Sequence, residues 1–380
     1  MERLSGNARN RVRFVMRYLI ITNNSGGLFR FRKDLMKQLI SDGHEVYAVT
    51  PFDEFVEELQ DIGVYLIEQS MNRRGKNPLQ EVRLFRAYRS IIKRVHPDYM
   101  ITYTIKPGIY GGILASKYRI PYTVNITGLG SAFEKQGLFL KLICTLWRNA
   151  LKNVDHVLFQ NVENAAEFEK HDIVGLSKMC ILPGSGVNLD DFPFVEYPAK
   201  NDSIRFLFIG RVMREKGIDE LLCAMEQLHS KYPNIVLDVV GWCEEDYESR
   251  LKELQDQGIL YFHGFQKDVK PYIRQAHAFV LPSYHEGMAN TLLESAAMGR
   301  PLIASNIHGC LEAVKDGETG FLCEARNVRS LIEQMERFIN LSYDQKRQMG
   351  YLSHVFVAKH FDKKKVVQET VETIYNAWCL

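Results

Sequence analysis

The chain has 380 residues, 46% hydrophobic and 25% charged, with a formal net charge of +2. At about 150 residues per domain the length predicts two domains, and the composition excludes a disordered chain, a collagen-like repeat and a coiled coil. The most apolar stretch, from Leu138 to Trp147, is broken by Lys141 and falls short of the about 18 apolar residues a spanning helix needs.

The charge is uneven. Residues 1–195 hold 26 Lys and Arg against 20 Asp and Glu, and residues 196–380 hold 22 against 26. A basic first half points to an anionic partner: phosphates, a membrane surface or nucleic acid. A solvated surface explains so mild an asymmetry equally well. Seven scattered cysteines without C-x-x-C spacing indicate buried reduced thiols, with no zinc site and no redox dithiol. The basic N-terminus leads into no apolar core, so no secretory signal is read.

In chain order, residues 1–15 are polar, basic and unpatterned and are expected to be a disordered extension. A first buried strand runs from Met16 into a loop at Asn23. Further strands are predicted over Glu45–Thr50, Val64–Glu68, Tyr99–Thr102, Tyr122–Ile126, His156–Phe159 and Met179–Leu182. Helices are predicted between them, over Arg30–Ser41 (opening at about Leu28), Glu54–Ile62, Leu79–Val95, Ile109–Tyr118, Phe139–Asn153 and Val162–His171. Residues 193–203 read as a polar linker containing prolines. A second series follows, with strands over Ile204–Ile209, Val236–Val240, Leu260–His263, Ala278–Pro282, Leu302–Ser305 and Gly320–Cys323. Its helices are Gly217–Lys231, Asp246–Gln257, Val269–Gln275, Asn290–Met298, Asn327–Asn340 and Tyr343–Ala358, and an amphipathic helix, Lys363–Trp378, ends the chain.

Short apolar strands alternating with helices predict two doubly wound α/β domains, 16–192 and 204–360, with a terminal segment 361–380. Ligands of such sheets bind beyond the carboxyl ends of the strands, so two facing domains would enclose one cleft. Dinucleotide binding is not indicated. Gly128-Leu-Gly130-Ser-Ala-Phe133 and Gly184-Ser-Gly186-Val-Asn-Leu189 both lack the third glycine of G-x-G-x-x-G, and there is no Walker lysine.

Three loops carry unusual residues. Gly26-Gly27 follows the first strand and precedes Arg30 and Arg32, so backbone N–H groups at a helix start could approach a phosphate. A tight turn without ligand is the plain alternative. Gly210-Arg211-Val-Met-Arg214-Glu-Lys216-Gly217 puts three cations before a helix N-terminus, which is unfavourable unless an anion lies between them. Glu286 and Glu294 lie eight residues apart; the spacing alone carries nothing. Glu286, however, falls in a loop after a strand, before Gly287 and a helix start, and Glu294 lies about two turns on. His263 and His285 are read as structural, and no residues group as a metal site.

Together these segments resemble the retaining glycosyltransferases of family 4, of GT-B architecture. The resemblance rests on Glu286–Glu294 with Gly287, on Gly210-Arg211 to Lys216-Gly217, and on Pro183-Gly-Ser-Gly186-Val187-Asn188 with Phe192. His263-Gly-Phe265 to Asp268-Val269, Gly309-Cys-Leu-Glu312 and Asp316-Gly to Gly320-Phe321 also fit, so that it spans residues 16–378. The first half resembles bacterial enzymes that build capsule, lipopolysaccharide or polyprenyl-diphosphate-linked oligosaccharides, through Phe29–Leu35, Asn125–Phe133 and Gln136-Gly137.

The resemblance implies a retaining hexosyltransferase. It would move a hexose or N-acetylhexosamine from a nucleotide sugar, usually a UDP sugar, to a lipid-linked or growing surface glycan, and its terminal helix would cross back onto the first domain. It implies Arg211 and Lys216 on the diphosphate and Glu286 on the sugar hydroxyls, helped by the N–H groups of Gly287, Met288 and Ala289. Glu294 would hold the ribose. Gly26, Gly27, Gly210, Phe265, Asn290 and Thr291 would complete the donor site, with Arg30, Arg32, Thr127 and Gly128 on the acceptor side. Many members carry a histidine after the fifth strand; here Asn125-Ile126-Thr127 stands there, so no histidine base is assigned. No cofactor, metal or nucleic acid is expected.

Two stretches could lie on an anionic bilayer: the basic run Arg73-Arg74-Gly-Lys76 with Arg83, Arg86, Arg89, Lys93 and Arg94, and the apolar Leu138–Leu151. The expected location is the inner face of the cell membrane, peripheral and cytoplasmic. The rivals are a soluble-acceptor transferase, a sugar-nucleotide epimerase of the same architecture, and a nucleotide-sugar-binding scaffold without catalysis.

Overall fold

Strands of the first series start with β1 (Arg17–Ile21), whose last four residues are buried, and each strand but the last feeds a helix. The order is α1 (Ser25–Ser41), β2 (Glu45–Thr50), α2 (Val56–Asp61), β3 (Tyr65–Glu68), α3 (Pro78–Val95), β4 (Tyr99–Tyr103) and α4 (Ile105–Tyr118). It continues with β5 (Tyr122–Ile126), α5 (Leu138–Ala150), β6 (His156–Phe159), α6 (Val162–Lys170) and β7 (Met179–Ile181). The second series is β8 (Ile204–Ile209), a 3₁₀ turn (Arg214–Lys216), α7 (Ile218–Lys231), β9 (Ile235–Val240), α8 (Glu248–Asp256), β10 (Leu260–Phe262) and α9 (Lys270–Gln275). Then come β11 (Ala278–Leu281), α10 (Asn290–Ala297), β12 (Leu302–Ser305), β13 (Gly320–Cys323), α11 (Val328–Ile339), α12 (Tyr343–His360) and α13 (Lys363–Asn376).

This computed structural model describes residues 15–71, 77–129, 133, 137–200 and 203–376. Residues 1–14 of the expected extension, the basic residues Arg73, Arg74 and Lys76, Gly130, Gln136, the end of the expected linker at 201–202, and Trp378 lie outside the described residues.

The strands form two parallel sheets, ordered β3-β2-β1-β4-β5-β6-β7 and β10-β9-β8-β11-β12-β13. Strands β4, β5, β11 and β12 are buried along their whole length, as continuous apolar runs in a parallel sheet should be. Strand order reverses between β1 and β4 in the first sheet and between β8 and β11 in the second. Those two crossovers are where such sheets bind ligands. The two α/β domains predicted from the alternating pattern are present.

Internal contacts divide the chain into two compact units. One holds the residues up to Asn125, those through Val157 after the short run that begins at Ile126, and those from Thr373. The other holds that short run and Leu158–Glu372. This contact division falls at 157/158, within β6, whereas the expected boundary at 192/193 follows β7, the last strand of the first sheet. The expected linker is fastened to the second unit: Tyr197 donates its hydroxyl to the His277 carbonyl at 2.9 Å, and Arg300 donates to the carbonyls of Val195 and Glu196, each at 2.8 Å. Helix α13 starts in the second unit and ends in the first. There Tyr375 donates to Asp42 Oδ2 at 2.9 Å and meets the His44 ring edge-on at 6.1 Å.

Two helices open earlier than their periodicity predicts. Helix α1 begins at Ser25, because Asn24 caps it by accepting from the Gly27 N–H. Helix α4 begins at Ile105, with Pro107 in its first turn, where a missing N–H leaves no gap. None of the six described cysteines forms a disulfide. Among the described residues no helix is long and apolar enough to cross a membrane, and no group of three or more His, Cys, Asp or Glu could hold a metal ion.

Candidate active site

The loops after β8 and β11 flank the second crossover. Strands β8 and β11 pair directly, Phe279 beside Leu207, so their two loops emerge side by side. After β8 the chain runs through Gly210 and Arg211, then winds Arg214–Lys216 into a single 3₁₀ turn. Gly217 closes that turn at φ +70°, and a β-carbon there would collide with the Pro282 carbonyl. Packing against Pro282 fixes where Lys216 points.

Lys216 Nζ forms an ion pair with Glu286 Oε1, and both side chains are largely buried, 18% and 12% exposed. Ser283 donates to the same oxygen at 2.8 Å. Arg211 turns instead to Glu244, a loose 3.7 Å pair, and stays more exposed. One step back, Tyr284 donates to both Glu220 oxygens at 2.8 and 2.9 Å and lies under the Arg326 guanidinium, 4.6 Å from its ring centroid. Burial, followed by the Glu220 carboxylate, pushes the Tyr284 phenol up to about 12, so it stays protonated and locks the loop. Burial likewise raises the Cys310 thiol well above its ordinary value, with Glu286 acting in the same direction.

The backbone of the Glu286 loop is held from the other side. Asn161 Nδ2 donates to the carbonyls of Glu286 at 3.2 Å and Gly287 at 2.7 Å, while its Oδ1 caps α6. A β-carbon on Gly287 would run into the Thr127 carbonyl and lie 2.6 Å from Gln160 Oε1. Met288 packs on Gly184, and Ser185 donates to Asn290 Oδ1 at 2.6 Å. The Ala289 N–H donates to the Gly309 carbonyl at 2.9 Å, so it is not open to a sugar as the resemblance implies. The N–H groups of Gly287 and Met288 have no acceptor among the described residues.

The structure thus gathers Lys216, Glu286, Gly287, Met288, Asn290 and Thr127 at one crossover. Thr291 and Glu294 follow inside α10, and Phe265 meets Trp242 at 5.6 Å on an exposed rim. His263 donates its ring to structure, 2.7 Å from Asp238, which also pairs with Arg205. Sequence reasoning missed Asn161, Ser283, Gln160 and Glu244. Asn161 alone left a signal, as an asparagine between a strand and a helix.

The other expected phosphate contact changes. The Ser25 N–H donates to Asp53 Oδ1 at 2.8 Å, Asp53 also takes the Gly26 N–H, and Asn24 takes the Gly27 N–H. Burial alone would raise the Asp53 carboxyl, but the Ser25 hydroxyl and the N–H groups of Ser25, Glu54 and Gly26 outweigh it and hold it below its ordinary value. Gly26 and Gly27 sit inside the first turn of α1, and its N–H groups already have acceptors. Arg30 pairs with Glu54 at 3.2 Å, Arg32 stacks 4.6 Å over Tyr103, and Gly128 has open space around it.

Two family models match the chain: glycosyl transferase 4-like over residues 20–161 and glycosyl transferases group 1 over residues 191–352. The N,N'-diacetylbacillosaminyl-diphospho-undecaprenol alpha-1,3-N-acetylgalactosaminyltransferase of Campylobacter jejuni is 27% identical over 337 residues, 84% of this chain and 88% of its own. The capsular polysaccharide biosynthesis glycosyltransferase CapM of Staphylococcus aureus is 25% identical over 324 residues, 79% of this chain and 83% of its own. Anabaena HepE, solved with UDP and glucose, superposes with a TM-score of 0.77 at 17% identity over 95% of this chain and 100% of its own. Sucrose-phosphate synthase from Thermosynechococcus elongatus reaches 0.80 at 20% identity over 96% and 99%. At such identities the likeness concerns the fold, the GT-B pair of parallel-sheet domains. With a 4-like domain in its first half and a group 1 domain in its second, the chain belongs to the glycosyltransferases.

Proposed function

We propose that this enzyme moves a hexose or N-acetylhexosamine from a UDP sugar to a glycan carried on a polyprenyl diphosphate, with retention at the anomeric carbon. The observation that carries the reading is the Lys216–Glu286 pair at the crossover of the second sheet, beside two N–H groups without acceptors. Lys216, with Arg211 swinging from Glu244, meets the donor diphosphate as point charge and planar fork. Glu286 and the N–H groups of Gly287 and Met288 take the sugar hydroxyls, and Glu294 the ribose. Glu286 is tied to Lys216 and Ser283, which suits a hydrogen-bonding carboxylate and not a nucleophile. The departing phosphate is stabilised electrostatically, and its oxygen takes the proton of the attacking acceptor hydroxyl.

The lipid-linked acceptor is supported by the relatives from Campylobacter jejuni and Escherichia coli, both named as acting on diphospho-undecaprenol sugars. A membrane-facing side is supported by exposed Leu79 and Val82 beside exposed Arg83 and Arg86 on α3, and by exposed Leu138, Phe139 and Leu142 on α5. On this reading the enzyme sits peripherally on the inner face of the membrane. A panel of nucleotide sugars with an undecaprenyl-diphosphate-linked acceptor tests the reading. Product of the donor's anomeric configuration, formed equally in the presence of a chelator, is expected. Nucleotide release accompanied by an epimerised free sugar, with no glycoside formed when acceptor is present, would favour an epimerase.

A further inference from the structure

The first sheet has its own crossover, between β1 and β4, and three side chains beside it lack hydrogen-bond and ion-pair partners among the described residues. Arg32 leans from α1 with its guanidinium 4.6 Å above the Tyr103 ring, at the end of β4. It has no ion pair and no hydrogen-bond acceptor among the described residues, whereas Arg30, two residues earlier, is paired with Glu54. Tyr103 is 3% exposed, and its hydroxyl has no hydrogen-bond partner among the described residues. The next residue, Thr104, sits at φ +72°, a conformation rare and strained for a β-branched side chain. It occupies the cap position of α4 yet makes no capping bond, and its buried hydroxyl likewise has no partner among the described residues.

A cation, a phenol and a hydroxyl left unsatisfied together, with strain stored among them, are a poor arrangement for folding alone. They sit where a doubly wound sheet takes its ligands, and the start of α4 adds its partial positive charge. All three groups donate hydrogen bonds, and Arg32 offers a planar fork. Burial lowers the guanidinium's ordinary value and raises the phenol's, so Tyr103 remains a neutral donor.

We propose that Arg32, Tyr103 and Thr104 form a phosphate-binding subsite in the first unit that takes the diphosphate of the lipid-linked acceptor. The acceptor assignment rests on the glycosyltransferase reading above; anion binding itself does not, since the test reads no turnover.

The full chain, saturated with UDP to fill the donor clamp, is titrated with inorganic pyrophosphate by calorimetry. Wild type should bind, Arg32→Met should lose at least tenfold in affinity, Arg32→Lys should lose less, and Tyr103→Phe should be intermediate. UDP affinity should be the same in all four proteins. Without ligand, Arg32→Met should melt at or above the wild-type temperature, because an unpaired cation has been removed. Unchanged pyrophosphate binding in Arg32→Met overturns the subsite, as does a lower melting temperature with ligand affinity intact, which would make Arg32 a packing residue. A parallel loss of UDP affinity overturns the acceptor assignment and gives the subsite to the donor's diphosphate.

Discussion

Lys216 and Glu286, 70 residues apart in sequence, form an ion pair between the loops that follow two neighbouring strands. On the proposed reading, the cation that meets the donor diphosphate and the carboxylate that takes the sugar hydroxyls therefore neutralise each other. A buried pair of this kind gains little over an apolar pair, but removing one partner strands the other charge.

Lys216→Met and Glu286→Gln should each reduce turnover at least about 100-fold and destabilise by about 3 kcal/mol. The double variant should regain most of the stability and none of the activity. A double-mutant cycle by urea unfolding checks this; strictly additive losses would contradict the pairing.

Gly287→Ala places a methyl group against the Thr127 carbonyl and Gln160. The loop must shift, at about 1–3 kcal/mol, and Glu286 shifts with it. Donor KM and turnover should both worsen, read by initial rates, while Gly175→Ala, which meets open space, should change rates far less.

Stability should fall with acid through one buried histidine. His277 accepts from the Arg205 N–H at 3.1 Å, and burial, with Lys346, Arg300 and Arg205 nearby, lowers it to about 4. The unfolded chain, near 6.5, binds this proton first. Stability from His277 is therefore complete above about pH 6.5 and is lost progressively down to about pH 4, reaching about 3 kcal/mol. Melting temperatures of wild type and His277→Gln, recorded across pH 4–8, should converge toward the acid end.

Membrane docking predicts salt-sensitive sedimentation with anionic vesicles, since exposed charges are screened over about 10 Å at 0.1 M salt. Changing Arg83, Arg86 and Arg89 to Gln should weaken vesicle binding and leave hydrolysis of the free donor unchanged. Wild type that stays in the supernatant at low salt would move a soluble acceptor ahead.

The alternation of strands and helices was readable because period and length are local properties, and so were the glycines and cations of the two second-half loops. Helix starts at Ser25 and Ile105 were not, since a cap and a proline in the first turn leave no hydrophobic period. The packed state of 193–200 was hidden as well: its polar composition reads as linker, but Arg300, a hundred residues on, binds its carbonyls.

By itself, then, the sequence determined two doubly wound domains and the family, and it singled out Arg211, Lys216 and Glu286 as the set expected to bear the chemistry. Only the tertiary structure decided which of these meet. Strand order brings β8 beside β11, which pairs Lys216 with Glu286 and leaves Arg211 to Glu244. It also fills the α1 N-terminus with Asp53 and leaves Arg32, stacked on Tyr103, and the Tyr103 and Thr104 hydroxyls without hydrogen-bond partners among the described residues. The reason is physical: hydrogen bonds and ion pairs between distant segments depend on sheet register and burial, which no local pattern encodes.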